Sequence, residues 1–120
     1  MKVENYVKNG ILTIDAVVSD LVAELEDEPL LIIENVQTDS IHKINLLNFY
    51  ITNEILDYLK NFKNLTSLVL GFAHLKDEQL SFLQEFYKLT SFSIISNPIT
   101  NKGLQYLQSL SNLINFSAGF

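Results

Sequence analysis

The stretch LTSFSIISNPITNKGLQYL, residues 89–107, decides how this chain is read. Apolar and polar side chains alternate around Phe92, Ser93 and Ile94, the period of a short strand with one buried face. From Asn101 onward the apolar spacing becomes three, Leu104 to Leu107, which sets both on one helix face. Asn101 stands where a side-chain oxygen accepts from an unpaired amide of the first helical turn, so it is expected to cap that helix. Such a segment is an isolated loop and helix, an amide-rich active-site turn, or one copy of something written more than once.

Sliding the chain against itself by 24 residues separates these readings. Leu65, Leu89 and Leu113 share a column, as do Leu68, Phe92 and Phe116, then Leu70, Ile94 and Ala118, and before them Phe62, Phe86 and Leu110. Ile41, Ile44 and Leu46 extend three of these columns upward. The later half repeats too: Ile51, Leu75 and Ile99 align, then Leu56, Leu80 and Leu104, then Leu59, Leu83 and Leu107. Asn53, Asp77 and Asn101 form an expected N-cap column. Each unit therefore reads as strand, turn, capped helix and return, an α/β pattern.

From Leu89 to Asn97 the residues spell L-x-x-F-x-I-x-x-N, followed by PITNKGLQYL, and this resembles a leucine-rich repeat. The 24-residue form with a helix is similar to bacterial and ribonuclease-inhibitor-like members, and the resemblance covers residues 41–120. It implies a curved solenoid with parallel strands on the concave face and helices on the convex one, in a family that mostly binds other proteins. On this reading Asn97 bonds backbone in a strand turn and Pro98 stiffens that turn. Phe49 and Ala73 hold the matching positions, so the amide ladder is expected to be incomplete.

Residues 37–120 then hold about three and a half rows, and residues 1–36 form an N-terminal cap of different design within the same single domain. Asn9-Gly10 marks a two-residue hairpin expected to pair Val7 with Leu12, Asn5 with Ile14 and Val3 with Ala16. Ser19 offers an N-cap for a short acidic helix through Leu21, Val22 and Leu25, which Pro29 would end. Leu30 to Glu34 follows as an expected apolar strand, and whether it joins the repeat sheet stays open. The last strand, Asn115 to Ala118, leaves an open edge. Ile114, Phe116 and Phe120 could pair there with a second copy, giving an edge-paired homodimer; the alternative is a short twisted strand tolerated in a monomer.

Composition narrows the chemistry. The chain of 120 residues is 48% apolar and 18% charged, as a folded domain is. Eight lysines, no arginine and 14 carboxylates give a net charge of −6, which argues against nucleic acid as a partner and for a protein with a basic surface. Cysteine is absent, the N-terminus is too polar for a secretory signal and no apolar run approaches membrane-spanning length, so a soluble cytoplasmic protein without membrane contact is expected. His42 and His74 lack partners at ligand spacing, and no catalytic, metal-binding or cofactor-binding residue is expected. The acidic runs at Glu24–Glu28 and Asp77–Glu78 read as solvated helix faces, and the sequon at Asn64 as idle.

Strand alternation turns Lys43, Asn45 and Leu47 outward in the first row, Ser67, Val69 and Gly71 in the second, Ser91, Ser93 and Ile95 in the third, and Asn115, Ser117 and Gly119 in the last. This small face with one charge is the expected protein-binding surface, since charge is depleted at interface centres. Phe49 is expected to pack into the core or turn, and Tyr50 to be exposed. The expected function is a non-enzymatic protein-binding module. The alternatives are a small acidic immunity-type inhibitor of a toxin or enzyme, and a small hydrolase built around His42 or His74.

Overall fold

In the computed structural model, which describes residues 3–16 and 28–119, Asn9 and Gly10 have φ of 54° and 78°. Two positive φ values make the turn that matches strand twist, and they join β1 (Val7–Lys8) to β2 (Ile11–Asp15) antiparallel. All later strands run parallel. In order they are β3 (Lys43–Leu47), β4 (Ser67–Gly71), β5 (Ser91–Ser93) and β6 (Asn115–Ser117), and the six strands lie side by side in sequence order. Ile44 pairs with Leu68, Leu68 with Phe92 and Phe92 with Phe116, so from β3 onward each step across the sheet is 24 residues.

One carbonyl per unit fixes that register. Gly10 O accepts from the amides of His42 and Lys43, His42 O from Thr66 and Ser67, Thr66 O from Thr90 and Ser91, and Thr90 O from Ile114 and Asn115. Each of these strands thus starts from the same pair of backbone bonds, to which the hydroxyls of Thr66 and Thr90 add a bond to His42 O and Thr66 O.

One face of the sheet is apolar and covered. Leu12, Ile14, Ile44, Leu46, Leu68 and Leu70 are fully buried, each worth about 2 kcal/mol of transfer free energy. Over them lie α1 (Pro29–Glu34), α2 (Asn53–Tyr58) with a 3-10 turn at Leu59–Asn61, a 3-10 segment at Asp77–Glu85, and α3 (Asn101–Leu104) with a 3-10 segment at Gln105–Ser109. Ile33, Leu56, Leu59, Leu80 and Leu83 join the strand side chains in one core. The helical share is tighter than expected, and the sequence holds the reason. Leu80 and Leu83, both buried, stand three positions apart within the Asp77–Glu85 segment, the repeat of a 3-10 helix, while Phe82 and Phe86 add a four-residue step at its end.

Several expectations about the first 36 residues change. Val7 pairs with Leu12 as expected, but Asn5 and Val3 do not pair with Ile14 and Ala16. A 3-10 turn at Val3–Asn5 takes that segment out of the hairpin, and Ile14 pairs parallel with Leu46 instead. Leu30 to Glu34 is helical, not a strand, and Pro29 opens this helix at its first turn, where a missing N–H costs nothing. A short apolar run suits a buried strand or a buried helix equally, and Pro29 was the deciding signal. The strand that joins the parallel sheet from this region is β2. The expected helix from Ser19 through Leu25 lies outside the described residues.

The expected N-cap column is displaced by one position. Thr52 and Thr100 carry the caps, Thr52 Oγ1 accepting from Ile55 N at 3.2 Å and Thr100 Oγ1 from Lys102 N at 3.3 Å. Asn53, Asp77 and Asn101 are the first helical residues, and the side chains of Asn53 and Asp77 accept from the next unit instead. No helix among the described residues is long and apolar enough to cross a membrane.

Candidate interaction surface

The face of the sheet opposite the helical segments carries the outward strand residues in straight lines, because parallel pairing keeps equal positions opposite each other. Lys43, Ser67, Ser91 and Asn115 form one line, and Asn45, Val69, Ser93 and Ser117 the next. They are half-buried from β3 to β5 and exposed on β6. Gly71 is buried, with the Leu47 side chain across it. β5 ends at Ser93, so Ile95 sits in the following turn, 38% exposed. Ser93 Oγ is shielded from solvent and has no hydrogen-bond partner.

β2 adds Ile11, Thr13 and Asp15 to this face, residues the 24-residue register does not reach because Leu12 pairs with Ile44, 32 positions on. Asn45 Nδ2 donates to Thr13 Oγ1 at 3.1 Å and Asn48 Nδ2 to Asp15 Oδ1 at 2.8 Å. The alternation of Leu12 and Ile14 was the available signal. At the other edge, Ile114 and Phe116 are 79% and 39% exposed, and β6 pairs only with β5 among the described residues. Phe120 lies outside the described residues.

The strands end in a column of left-handed residues. Asn48, Phe72 and Ser96 have φ of 65°, 51° and 59°, and their amides reach Gly71 O, Ile95 O and Gly119 O of the next unit. Asn and Ser tolerate this region; a bulky Phe is strained there by about 1 kcal/mol or more. Phe72 is nevertheless 53% exposed. Two residues on, Tyr50, His74 and Pro98 share a column, and Tyr50 stacks on His74 with ring centres 4.1 Å apart while staying 70% exposed. Tyr50, Phe72 and His74 thus make an aromatic rim beyond β3 and β4. Phe49, by contrast, packs partly against the core.

Asn97 closes the β5 turn and is 4% exposed. Its Oδ1 accepts from Ala73 N and Leu75 N at 3.0 and 2.9 Å, and its Nδ2 donates to Leu70 O, Ile94 O and Ile95 O. Where Ala73 replaces that amide one unit earlier, the carbonyl of Ala73 accepts from Ile51 N instead. Asp77 reaches the next unit, accepting from Thr100 N at 2.8 Å and from Thr100 Oγ1. These bonds favour the carboxylate and hold its pKa below the ordinary 3.8.

A furrow runs between α2 and the 3-10 segment at Asp77–Glu85. One part, about 470 Å³, is lined by Tyr50, His74, Lys76 and Pro98 among others; the next, about 410 Å³, by Leu56, Asp57, Lys60, Phe82 and Glu85. Asn53, Glu78 and Gln79 line both, so the two are continuous. Lys60 pairs with Asp57 at 3.0 Å, and this bond, with the charge of Glu85, raises the lysine pKa.

His42 and His74 lie at opposite strand ends: His42 Nε2 is 3.2 Å from Asn9 O, and His74 faces Tyr50. No group of three His, Asp or Glu side chains is arranged to hold a metal among the described residues. Comparison with protein-family models, curated proteins and solved structures finds no match to this chain.

Proposed function

We propose that this chain is a non-enzymatic protein-binding module, a short leucine-rich-repeat solenoid that contacts a partner protein through the strand face opposite its helical segments. The observation that carries the reading is the contrast between the two faces of one sheet. The helical segments bury one face from β2 to β5, whereas the other keeps lines of small, neutral, half-buried side chains: Asn45, Val69 and Ser93, flanked by Ser67 and Ser91. A surface already partly desolvated and poor in charge loses little on binding, which suits an interface centre.

Replacing Val69 and Ile95 together by glutamate tests this. The partner captured by the unaltered chain is expected to be lost while the circular dichroism spectrum and unfolding midpoint are kept. Undiminished capture by the doubly charged chain would remove this face from the function.

A further inference from the structure

We infer that two copies of this chain dock through β6, strand against strand and antiparallel, as a closed two-fold dimer whose sheets join edge to edge. This goes beyond the strand-face reading and does not rest on it. The stack itself shows what covers one of its units. Leu68 and Phe92 are buried between neighbouring units, and Phe92 is met by Phe116 with ring centres 6.1 Å apart. Phe116 holds the same column and is 39% exposed. Leu104 and Leu107 are likewise half-buried, where their counterparts Leu80 and Leu83 are fully buried. The matching cover is an apolar unit with an aromatic ring in register, and a second copy turned about an axis at Phe116 supplies its own Phe116.

The backbone of this edge is its own complement. Asn115 N donates to Thr90 O and Ser117 O accepts from Ile94 N, so the odd-numbered residues of β6 face β5. Successive residues of a strand point their N–H and C=O groups to opposite sides, so Ile114 O, both groups of Phe116 and Ala118 N face away from β5. Among the described residues no strand lies beyond them. About a two-fold axis at Phe116, each Phe116 N donates to Phe116 O of the other copy and each Ala118 N to the other Ile114 O, four bonds along one edge.

Charge selects a second copy over other occupants. All 14 carboxylates lie at or before Glu85, and Lys102 is the sole charged side chain in residues 89–120. Two chains of net charge −6 repel each other over most of their surface but not here, and a strongly charged partner finds no counter-charge. Edge strands are ordinarily guarded by charge or proline, and Asn115, Phe116 and Ser117 offer neither. The opposite edge of the sheet is guarded. β1 has two residues, one of them the exposed Lys8, and the 3-10 turn before it carries the exposed Glu4. Head-to-tail growth of β6 on β1 is therefore disfavoured, and pairing stops at two copies.

The chain has no cysteine, so an introduced disulfide reports the geometry. With the axis at Phe116, Asn115 lies opposite Ser117 of the second copy in a non-hydrogen-bonded pair, about 4.5 Å between Cα atoms, within disulfide reach. Asn115→Cys mixed with Ser117→Cys is expected to crosslink under mild oxidation, and each variant alone far less. By size exclusion with light scattering, the unaltered chain is expected at twice its chain mass. Ile114→Glu changes a side chain 79% exposed in the single chain and sets a carboxylate against Ala118 of the second copy. It is expected to raise the dissociation constant about tenfold or more with an unchanged circular dichroism spectrum. Leu31→Glu, exposed on α1, and Val69→Glu, on the strand face, are expected to leave the dimer as it is. A monomer at millimolar concentration, a mass that keeps growing with concentration, equal crosslinking in the mixture and the single variants, an undiminished dimer in Ile114→Glu, or loss of the dimer in Val69→Glu with the fold intact would each overturn the proposal.

Discussion

The junction between the β3 and β4 units and the junction between the β4 and β5 units share one strand register but are closed differently on the helical side. At the second, Asn97 ties the strand turns together, Asp77 reaches forward to Thr100, and Gly103 leaves room for the Asp77 and Leu80 side chains of the preceding unit. A Cβ at Gly103 would collide with Asp77 Oδ1 and sit 3.0 Å from Leu80 and Ile99. At the first, Ala73 stands in place of Asn97 and Gln79 in place of Gly103. Gln79 Nε2 donates to Asn53 Oδ1 at 3.1 Å, and its Oε1 accepts from Lys76 N at 2.9 Å, a role that Asp77 of the preceding unit fills for Thr100. A long side chain therefore spans a gap that a glycine elsewhere abolishes. The furrow is that gap, so one residue column decides where the helical side is sealed and where it opens.

Four substitutions press on this difference. Asn97→Ala should be the most damaging, costing about 3–5 kcal/mol by urea unfolding, because five hydrogen bonds go and buried amides of Ala73 and Leu75 are left unmet. A cost near that of a surface change would show that the turns hold without the amide. Gly103→Ala comes next, at about 1–3 kcal/mol from overpacking; if it is neutral, close approach is not what seals the second junction. Gln79→Ala should cost about 1 kcal/mol, since its bonds are partly exposed, and hydrogen exchange at Lys76 N should quicken while that at Thr100 N does not. Asp77→Asn should have the smallest effect, visible as a change in pH dependence. The carboxylate pKa is lowered in the folded state, chiefly by its bonds to Thr100. Its contribution is thus complete above the unfolded value near 3.8 and fades as pH falls through the lower folded value. Acid unfolding curves of the two proteins should therefore converge below that range and separate above it; parallel curves would show that the Thr100 bonds do not couple to folding.

The strands were legible because their buried columns are strict. Leu68, Phe92 and Phe116 fall in register in the sequence and pair in the sheet. The turn role of Asn97 was legible only through the resemblance of L-x-x-F-x-I-x-x-N to a repeat motif, and its burial and five bonds give that role its physical reason. The helix caps were misplaced by one residue, as Thr52 and Thr100 are neighbours of side chains equally able to accept a hydrogen bond. Pro29 was read as an end when it is a beginning, a choice that depends on which flanking run packs on the sheet. The 24-residue register itself sets Tyr50 and Phe72 at strand ends, where an aromatic can rim the sheet, whereas the stack on His74 and the positive φ at Phe72, which runs against its bulk, carry no periodic signal. The furrow was equally hidden, since it arises from the contrast of Gln79 with Gly103, positions that carry no periodic signal of their own.

The shared carbonyl at the start of each strand has a consequence for how the chain tolerates length changes. Ser91 N bonds Thr66 O as Ser67 N bonds His42 O, and a threonine hydroxyl adds to each carbonyl in the same way, Thr90 to Thr66 O and Thr66 to His42 O. Removing residues 67–90 as a block would join Thr66 to Ser91 and offer His42 O the amide of Ser91 in place of that of Ser67, the same bond at the strand start. Unit number is thus editable in whole steps, whereas deletion of one residue within a strand would turn the side chains beyond it to the opposite face.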